Sequence, residues 1–167
     1  MMPVSAPASR AETRHIVLTV NGEPVELDVA ADERLVDILR ERLHIMGPKV
    51  GCRIGRCGVC TVLVNGKSMN GCLVMAYRLN GAEVHTAEGL HLLPEGKAVI
   101  DAFTEGNAFQ CGYCAPGMAV SMTSLLLAVN EIDDAAIREG LGGNICRCTG
   151  YHSILRAARD AVAKHDC

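Results

Sequence analysis

The chain has 167 residues, 49% of them hydrophobic, and its 16 Lys and Arg against 19 Asp and Glu leave a formal net charge of -3. It carries nine cysteines but only three Tyr, two Phe and no Trp. That much apolar residue buries a core and excludes disorder, while near-balanced charge and scarce rings supply neither a basic groove nor a stacking platform, so nucleic acid is not an expected partner.

Residues 1–14, rich in Pro, Ala and Ser, are expected to form a flexible tail. They lack the apolar stretch of about 7 to 15 residues that a secretory signal needs, which points to the cytoplasm. In that reducing compartment closely spaced cysteines bind metal more often than they form disulfides. From His15 the pattern is strand-like: Ile16, Leu18 and Val20 alternate with polar or outward positions, then Val25, Leu27 and Val29 do the same, with Asn21-Gly22 marking a hairpin. Asp32 is expected to cap a helix whose Leu35, Ile38, Leu39 and Leu43 form one apolar stripe, stopped by Gly47-Pro48. A glycine-punctuated loop runs from Gly51 to Cys60, followed by a strand over Thr61 to Val64 with Asn65-Gly66 behind it, and a short strand around Val84 to Thr86.

After Gly89 the strand signals fade. Pro94 opens a helix through Phe103, Pro116 another to about Val129, Asp133 a third to about Gly140, and His152 to about Lys164 a fourth. The fold class is therefore α+β, divided as residues 15–88 and a helical part at 89–167. The longest apolar run, Gly117 to Val129, contains Ser121, Thr123 and Ser124 and falls short of the roughly 20 residues a bilayer demands, so no membrane span is expected. Within it Met118, Met122, Leu125, Leu126 and Val129 recur at helical spacing, as core or interface.

The cysteines form two quartets and a remainder. Cys52, Cys57, Cys60 and Cys72 are spaced C-x4-C-x2-C-x11-C, whose opening is the plant-type 2Fe-2S spacing. Gly51, Gly55 and Gly58 allow the sharp turns that aim backbone N-H groups at sulfur. A four-cysteine zinc site favours two short knuckles, of which only one is present here, and a Rieske centre would need two histidines in place of two cysteines. Cys111, Cys114, Cys146 and Cys148 are spaced C-x2-C-x31-C-x-C, with room for two helices between the pairs. Spacing alone leaves zinc and an iron-sulfur cluster both open for this second quartet. Cys167 is left over as an expected free, exposed thiol.

With both quartets in view, the sequence resembles the small iron-sulfur subunit of the molybdenum hydroxylases, the family of xanthine dehydrogenase, aldehyde oxidoreductase and aerobic carbon monoxide dehydrogenase. The matching segments are VGCRIGRCGVCTVLVNG from Val50, TAEGL from Thr86, QCGYCAPG from Gln110 and GGNICRCTGY from Gly142, and the likeness covers about His15 to His165. The resemblance implies an N-terminal ferredoxin-like β-grasp domain with one 2Fe-2S cluster, followed by a C-terminal four-helix bundle domain with another. It implies an outer cluster on Cys52, Cys57, Cys60 and Cys72, nearer a medium FAD subunit, and an inner cluster on Cys111, Cys114, Cys146 and Cys148 beside a large molybdenum-cofactor subunit. Gln110 and Cys148 occupy the positions that contact the molybdopterin dinucleotide across the subunit boundary, in what is expected to be a dimer of heterotrimers. No substrate chemistry is expected from this chain itself.

The sequence departs from many relatives at Ala115, where a Thr would offer a capping oxygen to the helix at Pro116, with an expected loss of about 1 kcal/mol. Val59 stands where Ala is commoner, a packing change. Arg53, Arg56 and Arg147 flank cysteines and are expected either to stabilise a reduced cluster or to pair with a partner subunit. Two other readings stand beside the relay: a free two-cluster ferredoxin and a zinc-stabilised interaction module.

Overall fold

The computed structural model describes residues 12–129 and 131–165. Most of the tail expected at 1–14, and Cys167, lie outside the described residues. Thr13 and Arg14, assigned to that tail, instead open a strand.

Strands β1 (Thr13–Val20) and β2 (Glu23–Ala30) form the expected antiparallel hairpin, with Leu18 opposite Val25 and Ile16 opposite Leu27. Asn21 (φ 51°) and Gly22 (φ 84°) both adopt the positive φ that a two-residue turn of this kind requires. A short helical turn, α1 (Leu35–Asp37), widens into a π-helical turn over Ile38–Arg42. Leu35, Ile38 and Leu39 are buried as the stripe predicts.

Asp32 is not the cap. The capping position is Arg34, which makes no side-chain bond, and the free N-H groups of Leu35 and Val36 donate to the carbonyls of Val74 (2.8 Å) and Gly71 (3.1 Å). A neighbouring loop thus satisfies the donors that a capping side chain would otherwise take. The helical turn also ends before Gly47-Pro48, with His44 in a left-handed conformation (φ 56°) just beyond it.

The remaining strands are β3 (Thr61–Val64), β4 (Lys67–Asn70) and β5 (Glu83–His85). Among the described residues they complete a five-stranded sheet in the order β2-β1-β5-β3-β4, with β5 parallel to β1 and antiparallel to β3. Short 3-10 turns at Ala76–Arg78 and Ala87–Leu92 flank β5.

Four α-helices follow: α2 (Pro94–Glu105), α3 (Ala115–Ala128), α4 (Asp134–Leu141) and α5 (His152–His165). Asp133 caps α4, its carboxylate accepting from Ala136 N-H at 2.8 Å. At α3 the capping position is Cys114, without a side-chain bond, and Ala115 already lies inside the helix. The stability loss expected from Ala at a cap therefore does not apply to Ala115.

Among the described residues two large apolar cores and two smaller clusters result. Ile16, Leu18, Leu35, Leu39, Val62 and Val84 fill the space between sheet and α1, while Val99, Met118, Met122, Ile137, Ile154 and Ala158 fill the helical core. Leu63 of β3, Leu90 and Val120 of α3 join the two. Of the α3 stripe, Met118, Met122 and Leu126 are buried and Val129 is exposed. Among the described residues no helix is long and apolar enough to cross a membrane.

Candidate metal centres

The loop between the π-helical turn and β3 has no regular secondary structure, and it folds around sulfur. Backbone N-H groups of Arg56 (3.2 Å) and Ile54 (3.5 Å) point at Cys52 Sγ, and that of Gly55 (3.3 Å) at Cys72 Sγ. Left-handed Arg53 (φ 57°) and Gly55 (φ 73°) turn the chain so that consecutive amides face inward. Within the quartet the thiols interact as Cys52 with Cys57 and Cys60 with Cys72. The amides of Ile54 and then Arg56 lower the Cys52 thiol to about 6, whereas burial pushes Cys60 up to about 12.

Arg53 makes an ion pair within this chain and also lies within electrostatic reach of the Cys72 sulfur. Its guanidinium donates to Asp37 Oδ2 at 2.9 Å, so its charge is engaged within this chain. Arg56 and Arg147 are exposed, and so is His152 at the start of α5.

The second quartet is assembled by helix ends. Cys111 and Cys114 precede α3, while Cys146 and Cys148 lie in the loop from α4 to α5, so α3 and α4 occupy the interval between the pairs. Cys148 Sγ lies 3.6 Å from Cys111 Sγ, and the thiols of Cys114 and Cys146 interact in turn. Burial pushes Cys114 up to about 12. Burial also pushes Cys146 upward, but hydrogen bonds from Thr149 and neighbouring amides outweigh it and lower the thiol. Cys148 is raised by its contact with Cys111. Gln110, Cys111 and Cys148 are all exposed.

Backbone joins the two sites. Ile145 N-H donates to Cys57 O at 3.0 Å, so the residue before one candidate ligand bonds to another candidate ligand. Buried Asn144 donates to Gly58 O (2.9 Å) and accepts from Ser121 Oγ (2.7 Å). The approach is tight enough that a Cβ on Gly58 would sit 2.4 Å from Gly143 O. Sequence reasoning missed Asn144, Ser121, Thr149 and Tyr151; the available signal was that Asn144 and Thr149 are polar residues within three positions of cysteines in GGNICRCTGY.

Hydrogen-bond contacts group the sulfurs of each quartet two by two, while Cys57 also acts electrostatically on Cys60 and Cys111 on Cys114. Two thiolates about 2.3 Å from one tetrahedral metal stand about 3.8 Å apart, close to the 3.6 Å of Cys111 and Cys148. Among the described residues, no three His, Cys, Asp or Glu side chains are gathered to hold a single ion. Two pairs per site, with amides aimed at sulfur, suit a two-metal unit in which each metal takes one pair.

Comparison with known proteins agrees with this chemistry. Residues 18–89 match the model of a 2Fe-2S iron-sulfur cluster binding domain, and residues 86–159 that of a 2Fe-2S binding domain. One of the subunits of a probable xanthine dehydrogenase from Bacillus subtilis is 43% identical over 145 residues, covering 84% of this chain and 81% of that one. The iron-sulfur-binding subunit of an Escherichia coli aldehyde oxidoreductase is 39% identical, covering 98% and 77%. Among solved structures, quinoline 2-oxidoreductase from Pseudomonas putida 86 superposes with a TM-score of 0.81 at 39% identity, over 90% of this chain and 94% of that one. The aldehyde oxidoreductase of Desulfovibrio gigas gives 0.83 at 35% identity, over 90% of this chain but 17% of its own longer one.

Proposed function

The chain belongs to the family of iron-sulfur subunits of the molybdenum hydroxylases, and from that premise we propose that it relays single electrons through two 2Fe-2S clusters, from a molybdenum cofactor in a large partner subunit to FAD in a medium one. It is a subunit of an oxidoreductase complex. In this reading Cys52, Cys57, Cys60 and Cys72 hold the outer cluster in a β-grasp domain ending near residue 88, and Cys111, Cys114, Cys146 and Cys148 hold the inner one in a four-helix bundle. Gln110 and Cys148 face the molybdopterin dinucleotide, and the complex is a dimer of heterotrimers in the cytoplasm.

The observation that carries the relay is the hydrogen bond from Ile145 N-H to Cys57 O, which ties the two candidate ligand sets directly through backbone. A 2Fe-2S cluster accepts one electron at a time, so two in series divide the two electrons of a hydroxylation into single steps. The chain's own work is to hold sulfur in pairs, to aim the amides of Ile54, Gly55 and Arg56 at it, and to exclude water with residues such as Val59 and Met118. Apolar side chains beside both sites are open to solvent: Ile54 (68%) and Leu73 (54%) near the outer, Tyr113 (50%) and Ile145 (50%) near the inner. Partner subunits covering both sites account for that exposure. Xanthine, aldehydes and quinoline, named for its relatives, would all react on the large subunit rather than here.

Iron and acid-labile sulfide analysis of the purified complex should give about four of each per chain. A zinc content in their place would overturn the relay, and a native mass equal to that of the chain alone, with no molybdenum or flavin, would make it a free ferredoxin.

A further inference from the structure

We propose that Thr149 sets the reduction potential of the inner cluster by donating its hydroxyl hydrogen to the sulfur of Cys146. This rests on the reading of Cys111, Cys114, Cys146 and Cys148 as cluster ligands. Thr149 Oγ1 lies 3.2 Å from Cys146 Sγ, and the same oxygen accepts the N-H of Tyr151 at 3.0 Å. A hydroxyl has one hydrogen to give, and a metal-bound thiolate has none. The direction of the contact is therefore fixed once the cysteine is ligated: Thr149 donates and Cys146 accepts.

The geometry around it leaves the hydroxyl little choice. Tyr151 sits in a left-handed conformation (φ 68°) that returns the chain toward Cys146. Its own hydroxyl takes the Cys146 N-H at 2.9 Å and donates to Asn144 O at 3.3 Å. The segment from Asn144 to Tyr151 is thereby closed on itself, with Thr149 held against the sulfur from inside the ring. At the outer quartet the hydrogen bonds to sulfur from outside the cysteines come, among the described residues, from the backbone amides of Ile54, Gly55 and Arg56. The inner quartet adds a side-chain donor, which one substitution can remove.

One-electron reduction adds negative charge that spreads onto the ligand sulfurs, and a donor aimed at them stabilises the reduced state. Thr149 therefore raises the inner potential. It is a positioning residue acting through Cys146.

The test is an EPR-monitored redox titration of the full chain in its purified complex, carrying Thr149→Ala, Thr149→Val or Thr149→Ser, after iron and sulfide have been counted. With the hydroxyl gone, the Ala and Val variants should shift the inner cluster's reduction equilibrium about tenfold toward the oxidised form, a potential about 59 mV lower. The Ser variant should match the parent, and the outer cluster should not move. Should Val fail to retain the inner cluster, Ala against Ser decides, since they differ by the oxygen alone. Equal potentials in Ala and Ser would overturn the proposal. So would loss of the inner cluster in Ala but not in Ser, which would make the hydroxyl a builder of the loop rather than a setter of potential. A parent chain with only about two irons would instead bring down the assignment of the inner ligands.

Discussion

The backbone N-H of Ile145 donates to the carbonyl of Cys57 at 3.0 Å, so two cysteine loops that lie more than eighty residues apart in the chain are tied at the residues that carry or adjoin sulfur. Neither loop has regular secondary structure. Their relative position therefore depends on a few contacts between loops: this bond, the Asn144 side chain, and the closeness of Gly58 to Gly143.

Gly58→Ala tests the last of these. Gly58 has φ 70°, and a Cβ there would meet Gly143 O at 2.4 Å and Asn144 Cα at 2.8 Å, both backbone atoms that cannot rotate away. Left-handed strain of about 1–2 kcal/mol plus overpacking of about 1–3 kcal/mol should lower the melting temperature by about 10 °C. Gly66→Ala is the control: it has a similar φ of 76° but nothing within 4 Å of its Cβ, so it bears strain alone. Equal shifts in calorimetry for the two variants would show that the loops yield easily.

Asn144 is 4% exposed, and its side-chain amide joins Ser121 of α3 to Gly58 of the outer loop. Asn144→Ala should cost about 1–3 kcal/mol, because it strands the buried Ser121 hydroxyl. Gly58 O keeps two donors from Thr61, which limits the loss on that side. In a double-mutant cycle by urea unfolding, Ser121→Ala added to Asn144→Ala should cost less than the two singles together. Strict additivity would mean that the two side chains are not coupled.

The thiols should separate by pH in the metal-free chain. Amide hydrogen bonds from Ile54 and Arg56 lower Cys52 to about 6, so it is a thiolate at neutral pH; burial raises Cys60 and Cys114 to about 12, so both stay protonated. Iodoacetamide at pH 7.5, followed by peptide mass mapping, should modify Cys52 early and Cys60 and Cys114 last. The Cys52 rate should climb about tenfold per pH unit below pH 6 and level off above it. Since ligands bind as thiolates, metal uptake above pH 7 should release a proton from Cys60 and from Cys114 but none from Cys52. Uptake at these positions therefore strengthens as pH rises.

What was legible in the sequence follows the kind of signal each element has. The turns at Asn21-Gly22 and Asn65-Gly66 were plain because four residues with φ between 51° and 84° demand those types. Strand β4 was not, because Lys67 to Met69 are exposed and show no apolar alternation; it exists through backbone pairing to β3, with Val64 opposite Lys67. Asp32 misled because carbonyls from residues 71 and 74, distant in sequence, satisfy the N-H groups that a cap would have taken. At the sites, spacing marked which cysteines group together. It carried no information on pairing, since Cys111 meets Cys148 only after α3 and α4 fold back.

Removal of iron should loosen the loops before it loosens the elements. The sheet core around Ile16 and Leu39 and the helical core around Met118 and Ile154 are apolar and complete without metal, so both should persist. The stretch from Cys52 to Cys57 has only sulfur-directed amides and a few polar contacts to order it, and metal binding there is coupled to local folding. In hydrogen exchange of the chelated chain, the amides of Ile54, Gly55 and Arg56 should lose protection while those of β1 and α5 keep theirs. The boundary should fall just after Cys57, because Val59 is 6% exposed within the helical core and Gly58 O is held by Asn144 and Thr61. Loss of protection throughout α5 on chelation would mean that the helical core needs its metal to fold, and the order of events would be reversed.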